Sequence, residues 1–286
     1  MKLLRFGSAG DEKPGLQLGD GSRIDASGFG MDWNEAFFAD PANVEKLAAW
    51  LETNGDSAPM VGEEVRLGSA VARPGKLICI GLNFSDHAEE TGMDIPGEPI
   101  VFFKATSAMC GPNDNVVIPR NSEKTDWEVE LAFVIGKKAS YVDESEALDH
   151  VAGYVLHNDY SEREFQIERG GQWVKGKSCD TFAPLGPFLA TSDEIADPEN
   201  LGMWLKVNGE RVQDGNSNKL IFGIAHLVSY LSQFMTLEPG DIISTGTPPG
   251  VGMGFDPPRF LKSGDVVELG IDGLGESRQV AVAWGE

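Results

Sequence analysis

The chain reads as a strand-rich α+β protein, on three observations. Short runs of β-strand character recur along most of its length, with turn residues between them. Thirty-five of the 286 residues are glycine and follow no fixed period, as turns between strands require. Few segments carry the i, i+3, i+4, i+7 apolar spacing of an amphipathic helix. That scarcity argues against a doubly wound parallel sheet and for a closed or sandwiched one.

In chain order, residues 2–6 and 16–18 have strand character, with turn chemistry at Gly19-Asp20-Gly21-Ser22. Residues 43–51 set Val44, Leu47, Ala48 and Leu51 on one helical face. Arg73-Pro74-Gly75 is a break, and divides a small N-terminal α+β domain, residues 1–73, from a larger domain, 74–286. In the larger part, strands are expected at 76–80, 100–104, 115–118, 128–135, 151–158, 205–207, 241–245, 266–271 and 279–284. A helix over 221–235 carries Ile224, Leu227, Val228 and Leu231 on one face, and a short helix is expected at 85–91.

Composition excludes several classes of function. Twenty-three Lys and Arg against 45 Asp and Glu give a net charge of −22, and no basic patch offsets it, so nucleic acid is not an expected partner. No apolar run reaches the ~18–20 residues that span a bilayer. Charges interrupt the apolar residues of Met1-Lys2-Leu3-Leu4-Arg5-Phe6, so no secretory signal is expected there. Cys79, Cys110 and Cys179 are odd in number and widely spaced, which speaks against a disulfide framework and for a reducing, cytoplasmic setting.

Chemistry concentrates in a few places. Glu128 and Glu130 are two apart on a strand and so share a face, at the mouth of the apolar run Leu131-Ala132-Phe133-Val134-Ile135. Either they open that strand to water, or they share a compensating cation. Asp159 ends a second apolar strand, where it is either a turn residue or a third carboxylate. Three carboxylates without cysteine form a hard, oxygen-only set suited to Mg²⁺ or Mn²⁺. His87 and Glu90 are i and i+3 on the short helix, which makes them a surface pair or an oriented general base. His150, His157 and His226 lack such a neighbour and are read as structural. The glycine-rich loop from Gly246 to Gly254 lacks the ending of a phosphate loop, but its N–H groups and the Thr247 hydroxyl could hold a substrate carboxylate.

Five motifs in order carry a resemblance over roughly residues 74–284: Asn83-Phe84-Ser85-Asp86-His87, Glu128-Val129-Glu130, the stretch from Asp159 to Gln166, Gly176-Lys177-Ser178, and Thr245-Gly246-Thr247-Pro248. Together they resemble the fumarylacetoacetate hydrolase family. The resemblance implies a mixed β-sandwich roll, an Mg²⁺ or Mn²⁺ ion on Glu128, Glu130 and Asp159, and a homodimer or homotetramer. It implies substrate binding by Arg163, Gln166, Lys177 and Thr247. His87 and Glu90 become a water-activating dyad on a lid, residues 85–94, that orders over bound ligand, with Lys177 catalytic beside them. Two positions depart from the usual pattern: Phe84, where many relatives carry Tyr, and Ala105, where many carry Pro.

Relatives of this kind include diketone hydrolases, acylpyruvases, oxaloacetate decarboxylases and hydroxymuconate-type isomerases. The opening Met1-Lys2-Leu3-Leu4-Arg5-Phe6-Gly7 and the stretch from Glu168 to Lys177 resemble bacterial hydrolases of 2,4-diketo-3-deoxy-L-rhamnonate and L-fuconate. The expected activity is therefore hydrolysis of the C3–C4 bond of a small 2,4-diketo acid. The rival from another class is a metal-binding assembly protein without catalysis.

Overall fold

A computed structural model describes residues 1–86 and 96–286. The N-terminal strands are β1 (Lys2–Phe6), β2 (Lys13–Gln17) and β3 (Arg23–Asp25). They are followed by β4 (Leu77–Gly81), β5 (Ile100–Lys104), β6 (Met109–Cys110), β7 (Val116–Ile118), β8 (Thr125–Asp126) and β9 (Val129–Ile135). Next come β10 (Val151–Asn158), β11 (Ser161–Glu162), β12 (Ala183–Thr191), β13 (Gly202–Val207) and β14 (Glu210–Asn216). The last three are β15 (Ile242–Ser244), β16 (Val266–Ile271) and β17 (Gly275–Ala283).

One large sheet runs in the order β3-β2-β1-β12-β10-β9-β15-β4-β5, with β6 added in parallel beside β12. A five-stranded sheet, β14-β13-β16-β17-β7, lies against it, with β13, β16 and β17 facing β9, β10 and β12. The fold is thus the strand-rich α+β sandwich that the turn-punctuated sequence predicts. Strands β9 and β12 are buried along their whole length; each has a sheet neighbour on both sides, and the five-stranded sheet packs against them. The N-terminal residues join the same sheet through Lys2↔Ala190 and Leu3↔Leu189, and Trp33 Nε1 donates to Leu4 O at 2.8 Å beneath them.

Strands β1, β5, β10 and β16 occupy the expected residues. Strand β12 was not expected, since Pro184, Gly186 and Pro187 read as breakers. It is held instead by burial of all nine residues between β1 and β10. The helix expected at 221–235 is shorter, Ile224–Ser232. Asn83 is the reason: its backbone and side-chain oxygens accept from the N–H groups of Ile221 and Phe222 and draw that backbone out of the helix. The expected helix at 85–91 and lid at 85–94 fall, from residue 87 on, outside the described residues, as do His87 and Glu90. Among the described residues no helix is long and apolar enough to cross a membrane.

Gly153 lies where β10 passes close to β12. A Cβ there would stand 2.1 Å from the carbonyl oxygen of Ala190, a backbone atom that cannot swing aside. Gly153→Ala is expected to destabilise the protein by about 1–3 kcal/mol, as overpacking does, and so to lower Tm by several degrees. An unchanged melting curve would show that the two strands separate freely at this point.

Candidate active site

The antiparallel register of β9 and β10 assembles the site. His157 lies directly opposite Glu130, and the Asp159 N–H donates to Glu128 O at 2.9 Å just past the ladder. Opposed residues share a sheet face, so Glu128, Glu130, His157 and Asp159 all project to one side. Carboxylate oxygens of Glu128, Glu130 and Asp159 lie within 4.8 Å of one another, and all three residues are buried.

Three cations from separate segments enter this carboxylate cluster. Lys104, at the end of β5, is 2.5 Å from Asp159 Oδ1 and also donates to Tyr160 O. The Lys177 ammonium, at the end of the short helix Val174–Lys177, sits 2.7 Å from both Glu128 Oε2 and Asp159 Oδ2. Arg163 spreads its guanidinium over Asp126 at 2.8 Å, Glu128 at 2.7 Å and Gln166 at 3.1 Å. Burial works against ionisation of Asp159, but Lys104 and Lys177 outweigh it and hold its carboxyl far below the usual range. Burial likewise opposes the charge of Lys177, and Asp159 with Glu128 overcomes it, so the ammonium is retained.

Glu130 is the exception. Its Oε2 accepts from the Ser244 hydroxyl at 2.5 Å and the Gly246 N–H at 3.1 Å, and among the described residues no Lys or Arg pairs with it. Burial, followed by the charges of Asp159 and Glu128, raises its carboxyl well above the ordinary value. With Asp126, and with all of them ionised, the cluster holds four carboxylates against three cations, an excess of one negative charge. A hard divalent cation fits that deficit. The donors are all oxygen, and their spacing approaches the ~4 Å that separates opposite ligands around Mg²⁺. Glu128, Glu130 and Asp159 are the residues that would hold it.

Above the carboxylates is a cavity of about 300 Å³. Arg163, Gln166, Lys177 and Thr247 line it together with Glu128 and Glu130, and Leu82, Phe102, Trp173, Val251 and Met253 are among the residues of its apolar walls. Thus seven of the residues singled out from sequence are brought to one place. The glycine-rich loop differs from expectation, because its N–H groups serve the protein's own carboxylates: Gly246 binds Glu130, and Gly252 and Met253 bind Asp126. The Thr247 hydroxyl is similarly engaged, donating to Val129 O and accepting from Gln213.

Lys104, Asp126, Ser244 and His157 were not anticipated. A lysine closing the apolar run of β5 was a signal, since a buried ammonium requires an anion. His157, read from sequence as structural, is wholly buried with Nδ1 2.8 Å from Ser244 Oγ, and burial depresses its imidazole to about 3. It is therefore neutral at physiological pH.

Replacing the unpaired carboxylate tests this charge balance. Glu130→Gln is expected to raise Tm by a few degrees in chelator at pH 8, because it removes a carboxyl whose ionisation burial and its neighbours oppose in the fold. The folded-state value is raised, so the cost is absent below about pH 4.5 and grows as pH rises through that value; the gain should vanish at pH 4. The variant should also lose any rise in Tm that Mn²⁺ gives the wild type. A lower Tm at pH 8 in chelator would refute the assignment.

The geometry agrees with what similar proteins show. Residues 76–282 match the sequence family described as fumarylacetoacetate (FAA) hydrolase C-terminal. A protein of Burkholderia ambifaria strain MC40-6, named only as a hydrolase without a stated substrate, is 55% identical over 280 residues, covering 98% of each chain. The structure of maleylpyruvate hydrolase from Sphingobium sp. SYK-6, in complex with manganese(II) and pyruvate, superposes with a TM-score of 0.79 at 31% identity, over 99% of each chain. The 2-hydroxyhepta-2,4-diene-1,7-dioate isomerase of Mycobacterium marinum superposes with a TM-score of 0.74 at 29% identity, over 100% of each chain. Sequence match, fold and carboxylate cluster agree: the chain belongs to the fumarylacetoacetate hydrolase family.

Proposed function

We propose that the protein is a Mg²⁺- or Mn²⁺-dependent hydrolase that cleaves the C3–C4 bond of a 2,4-diketo-3-deoxy sugar acid. L-2,4-Diketo-3-deoxyrhamnonate, which would give pyruvate and L-lactate, is the representative substrate. The observation that carries this reading is the buried Glu128–Glu130–Asp159 cluster, with Lys177 and Arg163, at the base of a cavity of about 300 Å³. That volume is at the small end for ligand sites and suits a six-carbon acid.

A bound divalent ion would supply Lewis acidity toward the negative charge left on the departing three-carbon fragment. The chain's own groups supply the rest. Lys177, buried and charged, brings a fixed positive charge to where the pyruvate enolate forms. Arg163 and Gln166 lock one another and present their remaining N–H groups toward the substrate carboxylate. His87, oriented by Glu90, accepts a proton from water as its oxygen bonds to C4. The C3–C4 electron pair then passes to the three-carbon fragment, which takes up a proton at C3. The roles of His87 and Glu90 rest on the sequence motif.

The apolar walls that include Leu82, Phe102, Trp173, Val251 and Met253 suit a substrate whose far end is a methyl group, such as C6 of diketo-deoxyrhamnonate. The same walls would accept a plain alkyl chain, so acylpyruvate hydrolysis is the second reading. Oxaloacetate decarboxylation and hydroxymuconate-type isomerisation share the carboxylate site but need no activated water. A metal-binding assembly protein would have no use for buried lysines beside an open cavity. The dispersed cysteines suit a cytoplasmic setting, and the family resemblance implies a homodimer or homotetramer.

Pyruvate release is the deciding assay. Diketo-deoxyrhamnonate should be cleaved in the presence of Mg²⁺ or Mn²⁺ and not in chelator. Lys177→Met should lower kcat by roughly 10²–10³-fold, the usual effect of removing one stabilising charge from an anionic transition state. Equal activity with and without metal would sink the proposal. Faster turnover of a plain acylpyruvate would move the assignment to the second reading.

His87→Ala and Glu90→Ala should each lower kcat for hydrolysis by about 10²–10⁴-fold with KM little changed. Any oxaloacetate decarboxylation should suffer less, since its bond-breaking step takes no water. Parallel losses in both reactions would assign the pair to substrate positioning.

A further inference from the structure

His157 and Ser244 form a chain of hydrogen bonds that ends on Glu130. The two residues are 87 positions apart and lie on β10 and β15, the strands that flank β9. Their side chains meet with Nδ1 2.8 Å from Ser244 Oγ, and Ser244 Oγ lies 2.5 Å from Glu130 Oε2. The direction of this chain follows from chemistry. In the ionised form that a metal ligand takes, Glu130 can only accept, so the Ser244 hydroxyl must donate to it. Ser244 Oγ must then accept from His157, which fixes the proton on Nδ1 and leaves the lone pair on Nε2. That Nε2 is fully buried and, among the described residues, has no hydrogen-bond partner. An orphaned buried acceptor is a standing cost that a phenylalanine or leucine of similar size would avoid. Packing alone therefore does not account for an imidazole here, whereas its donated Nδ1 proton does.

We propose that His157 and Ser244 are positioning residues for the metal site. Together with the Gly246 N–H they commit Oε2 of Glu130 to the protein and leave Oε1 as the oxygen that would be available to a divalent cation, and so set the affinity of the site. This rests on the metal-dependent reading above. Hydrogen bonds to a ligand fix its orientation, and their loss typically costs 10–100-fold in metal affinity.

The test is Mn²⁺ binding to the whole protein, measured by titration calorimetry and by the electron paramagnetic resonance signal of free Mn²⁺, alongside Tm in chelator. Ser244→Ala should weaken Mn²⁺ binding by about 10–100-fold, and Ser244→Thr, which keeps the hydroxyl, should restore most of it. His157→Phe should weaken binding by roughly 10-fold, while His157→Asn, whose amide can donate to Ser244, should recover part of the loss. These changes should exceed anything explained by a fall in Tm of the metal-free protein. Wild-type affinity in both Ser244→Ala and His157→Phe would overturn the proposal. So would a lower metal-free Tm with unchanged affinity, which marks a structural role only. Should one variant fail to fold, the other residue's loss-and-rescue pair decides alone. If the wild type itself binds no Mn²⁺, the metal reading fails instead, and Glu130→Gln separates the cases by abolishing binding only where binding exists.

Discussion

Carboxylates buried at the end of a sheet must be matched by cations, and that constraint organises the molecule around β9 and β10. Asp126, Glu128 and Asp159 are each met by Lys or Arg at 2.5–2.8 Å, and these cations come from three different segments. Lys104 arrives on the edge strand β5, Arg163 on the segment after β11, and Lys177 on the short helix before β12. Each ion pair therefore fastens a different part of the chain to the same point. Removing one partner of such a pair would strand its counter-charge, at about 3–5 kcal/mol. The arrangement specifies geometry more than it adds stability, because two well-packed apolar groups would serve a purely structural centre as well.

The polarity of the cavity follows from the same constraint. With its cations drawn down onto the carboxylates, the base of the cavity carries the charge and its upper walls are apolar. Phe102 illustrates the join: it packs edge-on against Trp173 at 5.3 Å and receives the Lys177 ammonium over its ring at 5.0 Å. An apolar wall beside a fixed charge keeps the local dielectric low, which strengthens each interaction with a developing negative charge. The close approach is made possible by Gly81, where a Cβ would stand 2.6 Å from the Trp173 ring.

Sequence revealed the parts of this centre that depend on local pattern. The runs 131–135 and 151–156 are apolar, so their strands were legible, and with them the carboxylates at their mouths. Arg163, Gln166 and Lys177 lie within ordered motifs and could be placed by resemblance. Strand β12 was hidden by Pro184, Gly186 and Pro187, whose breaker character is overridden by burial from both sides. Strand β14, Glu210–Asn216, was hidden for the opposite reason: it is polar at the edge of its sheet, and pairing with β13 supplies what its side chains do not. His157 looked inert because it has no acidic helical neighbour of the kind that pairs His87 with Glu90. Its partner Ser244 comes alongside only when β15 pairs with β9, a contact that no local spacing encodes.

The whole-chain charge of −22 sets a final condition on how such a site can work. Its field repels any keto acid that approaches, but at physiological salt the repulsion between exposed charges is screened beyond about 8 Å. Inside the cavity screening is weak, and there the balance of nearby charges decides. Taken without a divalent ion, four carboxylates against Lys104, Arg163 and Lys177 leave a net negative base that is no receptor for an anion. On the proposed function, one divalent ion bound by an ionised Glu130 would reverse that sign to positive, and anion binding would then be conditional on the metal. Glu130 thereby links the stability of the sheet to the competence of the site, and the hydrogen bonds that orient it bear on both.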